Sequence, residues 1–297
     1  MTFQSSFQQP FHGNISEAPI VLGPIADEAA TAATRRQETH GENVMFEVAI
    51  DGATLSISMN RPPVNAINEE WIDRMSQLLD SHEPREDIRV LRFRSSLKAF
   101  CGGADIDLLA ERLSSAAGID QMLQTVRRMQ ALYSRIEQSP LVSIAEIDGV
   151  ALGGGFELAL ACDFRVASDA AKVGLPEAKL GLLPAAGGTQ RLTKLLGAAL
   201  ARRLILGTEV VDGAEAARLG LVHWVFASDQ LAAKTLEIAR RLEGVPRAAI
   251  GANKRCIFVA QERQGDGFET EVQMTKLLYQ SPESMNLLQA FLAKRKR

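Results

Sequence analysis

Apolar residues recur at every second position in two short runs near residue 50: Val44, Phe46 and Val48, then Leu55, Ile57 and Met59. Period-two alternation marks a half-buried strand, and Asp51-Gly52 between the runs supplies the positive φ angles of a tight turn, so the pair reads as a hairpin. The period then lengthens. Ile72, Met75 and Leu79 keep helical spacing until Pro84, with Asn68 as a cap and Glu69 and Glu70 in the first turn, where the helix dipole favours acids. Val90 to Phe93 reads as a strand. Met122, Val126, Met129, Tyr133 and Ile136 make one stripe of a long helix closed by Pro140, and Val142 to Ile147 reads as a buried strand. The order strand-strand-helix-strand-loop-helix-strand-loop-helix is α/β with crossover connections. From about residue 211 the pattern turns almost purely helical. Pieces at Ala214 to Leu219, Gln230 to Leu242 and Glu269 to Leu278 suggest a helical C-terminal layer.

Residues 1–42 break from these patterns. They are rich in Gln, Ser, Thr, Ala and Pro without sustained apolar period, and they read as a flexible tail. The 297 residues therefore divide into this tail, a core at 43–210 and a helical region at 211–297. Lys plus Arg is 33 and Asp plus Glu is 36, a net charge of −3, without the basic excess of a dedicated nucleic-acid binder. Three cysteines, Cys101, Cys162 and Cys256, are too far apart for a metal clip or a disulfide framework, and the four histidines show no ligand spacing. No metal is expected. The longest apolar stretch, Gly149 to Cys162, is broken by Glu157 and is shorter than the roughly 20 residues that span a bilayer. A reducing, cytoplasmic setting is the expectation, with no membrane and no nucleic-acid partner.

Two glycine loops each follow a strand and open a helix. Gly102-Gly103-Ala104-Asp105 is the first; Gly153-Gly154-Gly155, leading into Phe156-Glu157-Leu158, is the second. Glycines permit positive φ and leave amide N–H groups unshielded, and a helix N-terminus adds unpaired donors. Together they could point N–H groups at one oxygen that becomes negative during a reaction, each donor being worth about 3 kcal/mol in the transition state. The triple glycine also fits plain tight packing of helix on sheet. Neither loop carries the Gly-Lys-Ser/Thr ending of a phosphate loop. Glu157 stands one turn after Gly154 on an otherwise apolar helix, where a carboxylate pays for desolvation unless it is paired or used. Glu177, in Gly174-Leu175-Pro176-Glu177, is a second acid after another short strand. Two acids beside an oxyanion site suit proton removal, or water addition, next to a carbonyl. Glu146, odd among apolar neighbours, reads as half of a strand-edge ion pair, and Cys101 as a small buried thiol.

In order and spacing, KAFCGGADI, DGVALGGGFELALACDFRVAS and GLPEAKLGLLPAAGGTQRL resemble the crotonase (enoyl-CoA hydratase/isomerase) superfamily. MNRPPVNAIN before them and ILGTEVVDGAEAARLGLV after them fit the same pattern, so the resemblance runs from about Val44 to the C-terminus. It implies a spiral of repeated strand-strand-helix units with a C-terminal helical trimerisation layer, assembled as a homotrimer or a dimer of trimers. It implies an acyl-CoA site in which the thioester oxygen lies between the N–H groups of Gly102 and Gly154. Glu157 would activate water for attack at C3, and Glu177 would exchange the proton at C2. Ala99, Cys101, Ala104, Asp105 and Ile106 would border the CoA, and Tyr279 and Lys294 would complete its site from the C-terminal segment. Leu175 stands where the family commonly has Gln, and Ser284-Met285-Asn286 where it usually has Arg-Glu-Gly.

The expectation is an enoyl-CoA hydratase that turns a trans-2-enoyl-CoA into a 3-hydroxyacyl-CoA without a separate cofactor, coenzyme A being part of the substrate. An isomerase or a hydratase-lyase on another acyl-CoA keeps the same site. A non-catalytic assembly or RNA-binding protein is the reading from another class, and the balanced charge speaks against RNA. The acyl pocket is expected within residues 107–140 and 250–280.

Overall fold

A computed structural model describes residues 35–36, 45–245, 247–261, 276, 280 and 282–295. The chain pairs first at β1 (Arg35–Arg36), which lies antiparallel to β2 (Phe46–Asp51) with Arg35 opposite Ile50. The hairpin forms as its pattern predicts. Asp51 pairs with Thr54 at the start of β3 (Thr54–Met59), and Gly52 takes φ +59° in the turn.

Helix α1 (Glu69–His82) follows, its N-cap Asn68 accepting from the Trp71 N–H, with Trp71, Ile72, Met75 and Leu79 buried. The chain continues through β4 (Val90–Ser95), α2 (Ile106–Arg112) and α3 (Ala116–Gln138). Next come β5 (Val142–Ile147), β6 (Val150–Leu152), α4 (Gly154–Ala161), β7 (Phe164–Ser168) and β8 (Lys172–Gly174). A 3-10 turn at Glu177–Leu180 leads to α5 (Gly188–Leu206). Strand β9 (Val210–Asp212), α6 (Gly213–Leu219), β10 (Trp224–Phe226), α7 (Ser228–Glu243), α8 (Arg247–Gln261) and α9 (Pro282–Arg295) complete the described elements.

One seven-stranded sheet has the order β1-β2-β3-β4-β5-β7-β10, parallel from β3 onward, and a second of three strands runs β6-β8-β9. Parallel neighbours need crossovers, and these put helices on both faces of the large sheet. On one face Leu91, Phe93, Ala145 and Ile147 join Trp71, Tyr133, Phe156 and Leu158 in the main core. On the other, Val90, Ile144 and Val166 pack against Leu231, Ile238 and Ala239 of α7. The region after residue 211 is less purely helical than its pattern suggests, because β10 adds a parallel strand beside β7 and most of β9 lies there too. The helical piece at Glu269 to Leu278 lies outside the described residues apart from Lys276. Among the described residues, no helix is long and apolar enough to cross a membrane.

Glu146 departs from its expected place. It is ion-paired, but in the middle of the large sheet rather than at its edge, with β4 on one side and β7 on the other.

Candidate active site

The two glycine loops meet at the end of the large sheet. Cys101 forms a parallel bridge to Ala151, its N–H donating to Val150 C=O (3.0 Å) and its C=O accepting from Leu152 N–H (3.0 Å). Gly155 fits because a β-carbon there would lie 2.4 Å from Cys101 O, so part of the triple glycine serves close packing. Gly153, at φ +51°, turns the chain into α4, which begins at Gly154 without a side-chain cap. The first amides of such a helix have no intrahelical acceptor.

The first loop is held from behind by Asn65, fully buried at φ +54°. Its side chain donates to Ser95 Oγ (2.8 Å), Phe100 C=O (3.0 Å) and Ala99 C=O (3.2 Å) and accepts from Arg61 N–H (2.8 Å). Gly102 N–H donates to Val64 C=O at 2.8 Å. That bond corrects the expectation that Gly102 supplies an oxyanion donor, since its N–H is already spent. The next candidate is Ala104. Ile67 N–H donates to Gly103 C=O and Asp105 N–H to Ile67 C=O, both at 2.8 Å, in a parallel bridge that turns the groups flanking Ala104 toward Ile67. In such a bridge the residue's own N–H faces the opposite way. That way lies Gly154: a β-carbon on Gly154 would sit 3.7 Å from Ala104 N, and one on Gly103 would sit 3.5 Å from Gly154 N.

Ala104 and Gly154 line one cavity of about 480 Å³ with Gly102, Gly103 and Gly153, and both predicted acids line it too. Glu157 is buried, and its Oε1 accepts from the N–H groups of Ala186 (2.8 Å) and Gly188 (2.7 Å), so the loop ahead of α5 fixes the carboxylate. Gly188 leaves the needed room, because a β-carbon there would lie 2.8 Å from Glu157 Oε1. Glu177 opens the 3-10 turn, and its Oε1 would be 3.0 Å from a β-carbon on Gly153. The rest of the wall is largely apolar: Ile106, Leu109, Met122, Val126, Met129, Leu182 and Leu183. Ala290 of α9 lines it as well, whereas the sequence pointed to 250–280 for the C-terminal contribution.

The remaining expected residues separate. Ala104 and Ile106 line the cavity, whereas Ala99 and Cys101 are buried behind the loop. Burial pushes the Cys101 thiol up to about 12, as expected of a packed side chain rather than a nucleophile. Asp105 caps α2, accepting from Leu108 N–H (3.2 Å), and pairs with Arg61 at 2.8 Å. Tyr279 lies outside the described residues, as does the side chain of Lys294, whose backbone falls in α9. Among the described residues, no three His, Cys, Asp or Glu gather to hold a metal ion.

A second cavity, of about 470 Å³, lies near the far end of α4 beside Cys162, Arg165 and His223. Its acids, Glu137 and Asp163, are committed to Arg191 (2.9 Å) and Lys254 (2.7 Å). It has acids but no glycine-loop amides, and the cavity between the loops has both.

Comparison with known proteins follows the same line. The family described as enoyl-CoA hydratase/isomerase matches residues 49–297. The probable mitochondrial enoyl-CoA hydratase 2 of Arabidopsis thaliana is 34% identical over 249 residues, 83% of this chain and 81% of that protein. The mitochondrial methylglutaconyl-CoA hydratase of Rattus norvegicus is 37% identical over 207 residues, 68% of this chain and 64% of that protein. Among solved structures, an enoyl-CoA hydratase from Bacillus anthracis superposes with a TM-score of 0.69 at 32% identity, covering 86% of this chain and 97% of its own.

Proposed function

Because the chain belongs to the enoyl-CoA hydratase/isomerase family and has its crotonase fold, we propose that it hydrates a trans-2-enoyl-CoA to the 3-hydroxyacyl-CoA. The observation that carries this reading is the presence of two carboxylates, Glu157 and Glu177, in the cavity that Ala104 and Gly154 also line. Isomerisation needs one acid to shuttle a proton between two carbons; hydration uses two groups, one for water and one for C2.

In this mechanism the thioester oxygen sits between the N–H groups of Ala104 and Gly154. Glu157, pinned by Ala186 and Gly188, takes a proton from water as its oxygen bonds to C3. The electron pair of the double bond moves toward the thioester, and the two N–H groups stabilise the enolate that develops, at about 3 kcal/mol per donor. Glu177, entering the cycle protonated, delivers its proton to C2 as the enolate collapses and the thioester carbonyl is restored. The proton that Glu157 took from water then returns to Glu177 by way of solvent, which resets both acids. Coenzyme A enters and leaves as part of the substrate.

The test is turnover of crotonyl-CoA, followed by loss of enone absorbance, in Glu157→Gln and Glu177→Gln. Each is expected to lose at least about a hundredfold. If neither does, the acid and base assignment is wrong.

A further inference from the structure

Three consecutive glycines are a poor foundation for a group that must be held in place, since glycine is the freest backbone residue. Gly153, Gly154 and Gly155 nevertheless carry the proposed oxyanion donor, the Gly154 N–H. Part of the restraint comes from a different element. Tyr133 of α3, fully buried, donates its hydroxyl to the Gly154 C=O at 2.8 Å. One helical turn earlier Met129 packs on the same residue, its methyl 3.1 Å from where a Gly154 β-carbon would be. The helix therefore grips Gly154 twice, once by contact and once by a hydrogen bond.

We propose that Tyr133 is a positioning residue for the oxyanion hole: its hydroxyl fixes the Gly154 carbonyl and thereby the angle at which the Gly154 N–H meets the thioester oxygen. The effect is geometric. The bonded carbonyl belongs to the peptide between Gly154 and Gly155, whereas the donating N–H belongs to the peptide between Gly153 and Gly154, so the hydroxyl turns the donor without being conjugated to it. Burial keeps the phenol protonated well above its ordinary range, so it remains a donor throughout the working pH. Tyr133 does not itself line the cavity among the residues described there. The inference rests on Gly154 being an oxyanion donor and not on the reaction being hydration.

Tyr133→Phe removes one oxygen and keeps the ring. The expected result is a fall in kcat of about three- to tenfold, the range for one neutral hydrogen bond, with KM for crotonyl-CoA changed less than kcat. The second readout is the absorption band of a bound CoA thioester of a para-dialkylamino cinnamic acid, which moves to the red when its carbonyl oxygen is hydrogen-bonded. Wild type is expected to shift this band, and Tyr133→Phe to shift it less. Thr235→Val, which removes a buried hydroxyl bonded to Leu231 C=O in α7 (2.9 Å), serves as the control and should leave both readouts unchanged. Tyr133→Phe with wild-type kcat, or with a reduced kcat and an undiminished band shift, overturns the proposal. So does a wild-type protein that shifts the band not at all. A wild-type protein that shifts the band but hydrates no enoyl-CoA, with Tyr133→Phe losing the shift, upholds this proposal and removes the hydratase reading.

Discussion

Two glutamates eleven residues apart are about equally buried and held in opposite ways. Glu146, 4% exposed, sits in β5 against Arg92 and Arg94, with Arg92 Nε at 2.8 Å. Glu157, 3% exposed, is held by the peptide N–H groups of Ala186 and Gly188. Arginine gives a buried carboxylate a full countercharge and makes it part of the scaffold. Peptide dipoles fix position without delivering a proton or a formal charge. Burial alone does not distinguish a structural acid from a working one; what separates these two is that Glu146 is ion-paired within the sheet whereas Glu157 lines the cavity.

The largest effect expected from this contrast is a crossed result. Glu157→Gln retains an amide oxygen that can accept from Ala186 and Gly188, so the fold is kept while turnover falls about 10²- to 10⁴-fold. Glu146→Gln should do the reverse. It leaves Arg92, itself buried, facing a neutral amide, and breaking such a pair costs about 3–5 kcal/mol of stability. Activity per folded molecule should remain near wild type. Denaturant unfolding and crotonyl-CoA kinetics on both variants check the crossing. Equal stability losses at the two sites would erase the distinction.

A second experiment sharpens it. If Glu146 serves only to neutralise arginine, replacing the pair together by Arg92→Met and Glu146→Leu should recover most of what Glu146→Gln loses, to within about 1–2 kcal/mol of wild type. Arg94, 36% exposed, can turn to solvent once its partner is gone. A double variant as unstable as the single one would mean that the ionic network is needed for more than charge balance.

The contrast also explains what the sequence could and could not reveal. The Asp51-Gly52 hairpin, the Asn68 cap and the α3 stripe were readable because each has a local period or a capping residue. Strands β9 and β10, three residues each, are too short to show a period, so the sequence around them reads as helical. Glu157 is legible as a charge out of place on an apolar helix and Glu177 as a second acid after a short strand. The ion pairing of Glu146 is legible too, but not its partners, which depend on parallel β4–β5 register. The oxyanion donor was harder. Glycine content drew attention to Gly102, but a backbone donor is defined by direction, and here Gly103 at φ +100° stands between an N–H bonded to Val64 and one turned toward Gly154. Tyr133 reads only as one residue of the α3 stripe and Asn65 has no local signal, because the loops they hold lie far away in sequence.

The smallest effect comes from the mirror image of Glu157. Arg165 is a buried cation held by carbonyl groups: Leu221 (2.7 Å), Cys162 (2.8 Å) and Ala159 (3.4 Å). The carbonyl dipoles supply its hydrogen bonds, Asp163 supplies an opposite charge nearby, and His223 still feels the cation. The imidazole Nδ1 accepts from the Arg165 N–H at 3.1 Å with the ring edge-on to Phe164, so that edge is desolvated although the residue as a whole is exposed. Desolvation first, and the Arg165 charge second, bring His223 down from 6.5 to about 4. The folded protein then holds this histidine neutral where the unfolded chain would protonate it. Between pH 6.5 and about 4 the unfolded state binds more protons, so the contribution to stability is full above pH 6.5, declines as the pH falls, and is gone below about 4. Screening at the exposed ring limits the loss to about 1 kcal/mol. His223→Gln should flatten the stability profile across that window, and the His223 ring resonances should titrate below pH 5. Titration near 6.5 would mean that solvent screens the ring, and that the carbonyl groups and Asp163 together leave no net positive field of Arg165 at His223.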